Sequence, residues 1–262
     1  MKLDLRDTTF LIPIRIDSVD RLENILSVIN FLRRNFNTNI IVLEASLGVN
    51  SFLKRLLPKD RCIKYTFIYD DDPIFFRTHY INLMTMMAVT PIIAIWDADV
   101  IAPVTQISSA IEQIRLGSAD VAHPYDGTSL ESSDILRRLF IQTGNVDYLL
   151  KNLNKMKVQY QPKVMTGGGF FLNADKYKKA GMENENFYGW GPEDFERYSR
   201  WQKFGYKLFR TEGFLIHLTH QRDINSQFNS SFQMNNLNLE LFRTRNASKE
   251  QIMSFLNVKK EP

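Results

Sequence analysis

Apolar positions along the chain follow two rhythms. "TTFLIPI" (8–14), "NIIVLEA" (39–45), "CIKYTFIY" (62–69) and the apolar run of "VTPIIAIWDADV" (89–100) are short and dense, as expected of strands buried inside a sheet. Between them the period lengthens. "SVDRLENILSVINFLRR" (18–34) puts Leu22, Ile25, Leu26, Ile29 and Leu32 on one helical face, with Asp17 or Ser18 as cap. "RTHYINLMTMMAV" (77–89) predicts a second helix. Strands alternating with helices imply βαβ units, so the expected fold is α/β, with a mainly parallel sheet flanked by helices. A helix over "TQISSAIEQIRLG" (105–117), a short strand "DVAHPY" (120–125) and a helical stretch near 132–153 follow. After about residue 223 the chain is rich in Asn and Ser, and one further helix is predicted, "SKEQIMSFLNV" (248–258).

A chain of 262 residues with 44% apolar content supports a sizeable core. Its net charge of +4 is compatible with phosphate-bearing ligands and too weak to argue for nucleic acid. Cys62 is the only cysteine, which removes any internal disulfide and makes a reducing compartment the simpler expectation. The N-terminal residues scatter charges through a short apolar run, unlike a signal peptide or a membrane anchor. A cytoplasmic protein is expected, with the basic, amphipathic C-terminal segment available for peripheral contact with the inner face of a membrane or for packing on the domain.

The apolar run within 89–103 ends in Asp97 and Asp99. In parallel sheets ligands gather beyond the carboxyl ends of strands, and hard carboxylate oxygens there suit a divalent cation bridging a diphosphate. The same acids would also serve as solvated loop residues ahead of the next helix. "YDDDP" (69–73) contains the same spacing but reads as an acidic turn before Pro73. In "FYGWGPEDFE" (187–196), Pro192 fits the first helical position, with Glu193 and Asp194 in the first turn, where the macrodipole favours anions. Gly189 and Gly191 around Trp190 equally suit an indole platform for a sugar, beside a carboxylate base. His217 and His220 in "HLTHQRD" are either ordinary surface or core histidines or, with Asp99, ligands for a borderline metal. Arg15 and Arg77 are candidates for phosphate contact, and "TGGGFF" (166–171) either lets backbone approach a ligand or marks a bulge before a strand.

Together these segments resemble a GT-A fold glycosyltransferase, closest in motif to the β-1,4-galactosyltransferases and the galactosyltransferase-type domains of bacterial capsule synthases. "IPIRID", "FFRTHYIN", "DADVIAP", "GGGFFLNADKYKKAGMENENFYGWGPEDFE" and "HLTHQRD" occur in that family's order between about residues 10 and 223. The resemblance implies a nucleotide-binding part over about 8–103, an acceptor and catalytic part over about 104–222, and a polar extension over 223–262. It implies Mn²⁺ or Mg²⁺ on Asp99 and His220, with His217 where the family often has Met. Pro13, Arg15, Phe75, Arg77, Asp97, Trp190 and Glu193 would lie along the UDP-sugar donor. Gly168, Tyr188 and Gly189 would line the acceptor or sugar pocket, Lys155 or Lys157 would meet a phosphate, and Asp194 would be the catalytic base. The implied reaction is inverting transfer of a hexose, galactose or N-acetylgalactosamine favoured, to a saccharide or lipid-linked glycan acceptor in surface polysaccharide synthesis. Pro192 replaces a family glycine and Phe195 a family acid tied to acceptor recognition, so the N-acetylglucosamine acceptor does not carry over. Rival readings are a non-catalytic nucleotide-sugar-binding module, a retaining transferase sharing the metal geometry, and a D-x-D phosphatase. That phosphatase carries its motif on the first core strand, whereas here three strands precede it.

Overall fold

The computed structural model describes residues 2–48 and 52–257. In chain order the elements are β1 (Leu3–Ile14), α1 (Val19–Asn35), β2 (Phe36–Ser46), α2 (Phe52–Leu56), β3 (Ile63–Tyr69), α3 (Arg77–Met87), β4 (Ile92–Trp96) and β5 (Val100–Ile101). Then come α4 (Val104–Arg115), β6 (Val121–His123), β7 (Thr128–Glu131), α5 (Asp134–Thr143), α6 (Asp147–Leu150), β8 (Lys157–Val158), β9 (Gly169–Asn173) and α7 (Ala174–Lys179). The chain finishes with α8 (Glu193–Lys203), β10 (Leu208–Arg210), β11 (Phe214–His217), α9 (Ser231–Asn246) and α10 (Lys249–Asn257).

Seven strands form the main sheet in the order β10-β6-β9-β4-β1-β2-β3. All neighbours run parallel except β9, which is antiparallel to both β4 and β6. Alternation along β1 explains the layers. Phe10, Ile12 and Ile14 face a core shared with Ile25, Val28 and Ile29 of α1 and Ile107 and Ile111 of α4. Leu11 faces the opposite core, with Tyr80, Ile81 and Met84 of α3, Tyr177 of α7 and Trp201 of α8. Strands covered on both sides are nearly continuous apolar runs, and this accounts for the dense stretches in the sequence. The expected mixed, mainly parallel sheet flanked by helices is the observed one.

A second sheet, β5-β11-β7-β8, stands at the carboxyl end of β4. These strands have two to four residues each, too short for a periodic signal, and the sequence did not announce them. The helical stretch near 132–153 is two helices, because Gly144 takes a left-handed conformation (φ 60°) that ends α5. Ser18 caps α1 by accepting from the Arg21 N–H, which settles the Asp17 or Ser18 alternative. The largest departure is α9, where only Asn- and Ser-rich chain was expected. Its Leu237 and Leu241 pack on Phe187, and further apolar residues on its outer side blur the helical period. The predicted C-terminal helix is α10; Val258 lies outside the described residues, as do Lys259 and Lys260 of the basic tail. No helix among the described residues is long and apolar enough to cross a membrane.

Candidate active site

The cleft lies where β1, β4 and β11 end. β4 stops because its last residue leads into a tight turn: Trp96 Nε1 donates to the Val100 carbonyl (3.1 Å), and the Asp97 N–H donates to Gly168 O (2.7 Å). In this turn the two aspartates diverge. Asp97 accepts from Arg77 at the start of α3 (2.5 Å), and Arg77 also lies 3.9 Å from Glu193. Asp99 turns to the second sheet, where its backbone carbonyl accepts from the Leu218 N–H (2.7 Å). His217, the last residue of β11, places Nε2 3.6 Å from one Asp99 oxygen, and His220, in the following turn, places Nε2 3.1 Å from the other.

Electrostatics separate these groups further. Burial works to raise the Asp99 pKa, but the two imidazoles outweigh it and hold the carboxyl well below the usual range. Burial lowers the pKa of His217, whereas the bond to Asp99 raises that of His220 against its own burial. His220 Nδ1 lies 2.7 Å from the Gln221 carbonyl, which only accepts, so Nδ1 carries a proton and the proton facing Asp99 is on Nε2. A cation would displace that proton. One ligand atom from each of Asp99, His217 and His220 falls within 4.8 Å of the others. His217 Nδ1 is buried without a hydrogen-bond partner, 3.8 Å from Glu131. One carboxylate with two imidazoles suits a borderline divalent ion such as Mn²⁺, so the residues present fit the implied metal.

On the other wall, α8 begins at Glu193, one residue later than the expected start at Pro192. Asp194 accepts from Arg197 one turn on, and a methyl group at Gly167 would collide with the Asp194 carboxylate. The glycine run is therefore needed for close approach as well as for starting β9. Burial, reinforced by Asp194, pushes Glu193 up to about 8, and burial also raises Asp97 against the pull of Arg77. Glu193 is thus mostly protonated at neutral pH. Its raised pKa carries a stability consequence. Because the folded value exceeds the unfolded one, the folded state holds the extra proton between roughly pH 4.5 and 8, and stability declines as pH rises through that window. The slope is at most about 1.4 kcal/mol per pH unit. The melting temperature of the protein is expected to fall from pH 5 to 8 relative to Glu193→Gln; parallel profiles would remove this assignment.

The cleft, of about 210 Å³, is lined by Pro13, Arg15, Phe75, Arg77, Asp97, Asp99, Gly168, Trp190, Glu193, Asp194, His217 and His220, all expected from sequence. Arg15 enters with its guanidinium engaged by Ala45 O, Asp72 O and Asp70, and lies 5.5 Å over the Phe75 ring. Trp190 lines the cleft, is edge-on to Phe228 (4.8 Å) and remains 38% exposed. Tyr188 and Gly189 are not in the lining: the Tyr188 hydroxyl bonds Asp72, and Gly189 packs against Gln233 and Ile74. Lys155 and Lys157 are also outside it, while Gln159 and Tyr160 of the same segment are inside. Sequence reading missed Arg21, Arg222, Asn225 and Ser226, which complete the wall beside Asp99. It also missed Arg197, although the i, i+3 spacing from Asp194 was there to be read.

Residues 147–222 match the family model described as the N-terminal domain of galactosyltransferase. That segment carries the glycine run, Trp190, Glu193, Asp194 and both histidines. The crystal structure of the catalytic domain of Drosophila beta1,4-galactosyltransferase 7, in complex with xylobiose, is similar over 95% of this chain and 83% of that one, with a TM-score of 0.53 and 18% identity. The fold is of the GT-A type. Matched segment and fold together support a glycosyltransferase. None of the curated proteins matches the chain.

Proposed function

We propose that the chain is a metal-dependent, inverting glycosyltransferase that moves a hexose, galactose or N-acetylgalactosamine, from a UDP-sugar to a saccharide hydroxyl. Surface polysaccharide or glycan synthesis, such as that of a capsule, at the cytoplasmic side is the setting this reading favours. The observation that carries it is the pairing, in one cleft, of an Asp99, His217 and His220 cluster on one wall with Asp194 on the other. Residues 8–103 would supply most of the donor site and residues 104–222 the acceptor side.

Asp99, His217 and His220 would hold the metal, and a bound divalent cation supplies charge neutralisation to a departing diphosphate. The remaining roles belong to side chains. Pro13, Phe75 and Arg15 line the nucleotide side, and Arg77 fixes Asp97 toward the donor ribose or sugar. Protonated Glu193 can donate to a sugar hydroxyl, and Trp190 offers its ring as the platform. Asp194 accepts the proton of the acceptor hydroxyl as its oxygen bonds to the anomeric carbon and the bond from that carbon to the diphosphate breaks. One displacement inverts the anomeric configuration.

A thermal-shift panel tests the reading. Mn²⁺ with UDP-galactose or UDP-N-acetylgalactosamine is expected to raise the melting temperature by roughly 5–10 °C at a hundredfold excess over Kd. Asp99→Ala should abolish the metal-dependent part. No shift with any UDP-sugar overturns the proposal, and a shift without transfer or donor hydrolysis leaves a binding module instead.

A further inference from the structure

α9 is apolar on two opposite sides, and the fold uses only one. Leu237, Leu241 and Thr244 face inward: Leu237 fills the space beside Gly191, and Thr244 donates to Glu196 (3.1 Å). At 100° per residue, Phe232, Asn235, Leu239, Phe242 and Asn246 form the opposite line. Phe232 is 75% exposed, and Leu239 and Phe242 are 65% exposed each. The inner face is fixed to the domain, so this outer stripe cannot rotate into the core. Large apolar side chains aligned in this way need an external reason.

Charge identifies the occupant. Arg243 and Arg245 lie on either side of the stripe and Lys249 follows in the first turn of α10; all three are exposed, although Arg243 stacks on Phe255 and lies 3.6 Å from Glu240, Arg245 lies 3.5 Å from the Ser199 hydroxyl, and Lys249 lies 5.2 Å over the Phe204 ring. The one carboxylate of α9, Glu240, is turned toward the domain, where Asn184 and Asn186 donate to it. The next acid along the chain, the exposed Glu250, accepts from the Ser248 hydroxyl. An apolar stripe with cations beside it and its acid withdrawn matches a helix lying in the headgroup region of an anionic bilayer. Area argues against a second copy of the chain. Three side chains offer roughly 400 Å², about half of the 800 Å² each partner contributes to a stable interface. Shallow immersion needs no more than such a stripe.

We propose that α9 docks the protein on anionic membrane surfaces through Phe232, Leu239 and Phe242, with the exposed Arg243, Arg245 and Lys249 beside the stripe supplying positive charge at the headgroup level. The helix is 16 residues, about 24 Å, long enough to lie along the interface. Its inner face holds the Trp190 loop through Leu237 at Gly191 and through Gln233, whose side-chain nitrogen donates to Tyr188 O (3.0 Å). Docking would bring that loop within one helix diameter of the bilayer, about 10 Å, where a lipid-linked acceptor would present its sugar. This last consequence rests on the proposed function, whereas membrane binding itself does not.

Vesicle co-sedimentation of the full chain tests it. The protein is expected to partition onto vesicles of equimolar phosphatidylcholine and phosphatidylglycerol and far less onto phosphatidylcholine alone, with added salt weakening binding. Phe232→Ser/Leu239→Ser/Phe242→Ser should lose about tenfold or more in partitioning while keeping the melting temperature and the Mn²⁺ response. Arg245→Gln/Lys249→Gln should weaken only the anionic case. Equal partitioning of wild type and triple variant overturns the proposal. So does a wild-type dimer that the triple variant makes monomeric without any vesicle binding. Failure here leaves the thermal-shift result with UDP-sugars untouched, so the two readings fall separately.

Discussion

Asp194→Asn is expected to cut sugar transfer by about 10²–10⁴-fold, the range that a positioned general base supplies. Asparagine keeps the shape of the side chain, and its carbonyl oxygen can still accept from Arg197, so the first turn of α8 has no reason to move. It cannot take a proton at neutral pH. Donor binding should survive, because the Asp99, His217 and His220 cluster is a separate set of contacts on the other wall. The measurement pairs initial transfer rates with the Mn²⁺-dependent thermal shift by UDP-sugar. A large loss of kcat with an unchanged shift is the expected pattern. Turnover within a few-fold of wild type would move the base elsewhere, and Glu193 is the adjacent carboxyl in the cleft. Glu193 makes a poorer base at neutral pH because its burial keeps it protonated.

What the sequence revealed and what it hid follow from the physics of each element. β1, β2 and β4 were legible because strands covered on both faces run almost continuously apolar, and α1 because one clean face repeats with its period. Asp97 and Asp99 stood out because carboxylates at the end of such a strand need compensation. Their division of labour was visible only as a resemblance; the turn after Trp96 sends one toward Arg77 and the other toward the histidines. The second sheet stayed hidden because pairing between distant two- to four-residue strands leaves no local pattern. α9 stayed hidden for the opposite reason: apolar residues on two sides of one helix cancel the period that would announce it. Tyr188 and Gly189 lie outside the cleft lining, which a motif cannot indicate because it marks a segment without saying which of its side chains turn inward.

Arg197→Met should be the most destabilising single change near the site, by about 3–5 kcal/mol, since it removes one partner of a buried ion pair. Both Arg197 and Glu183 are fully buried, and the guanidinium bridges Glu183 and Asp194 while lying 4.5 Å over the Phe170 ring. The Glu183 carboxylate would keep the Tyr177 hydroxyl (2.6 Å), while its backbone stays bonded to the Asn82 amide on both sides (2.8 and 3.0 Å). The cost arises from that stranded carboxylate more than from lost attraction. Urea midpoints should therefore recover in Arg197→Met/Glu183→Gln, because the neutral amide needs no counter-charge. Stability and activity then separate. The double variant should fold and respond to Mn²⁺ with UDP-sugar, yet still lose kcat, because Asp194 is no longer held against Gly167. Full transfer activity in the stable double variant would show that Arg197 serves the fold alone. A double variant no more stable than Arg197→Met would show instead that packing on Phe170 and Trp201, rather than the pair with Glu183, carries the energy.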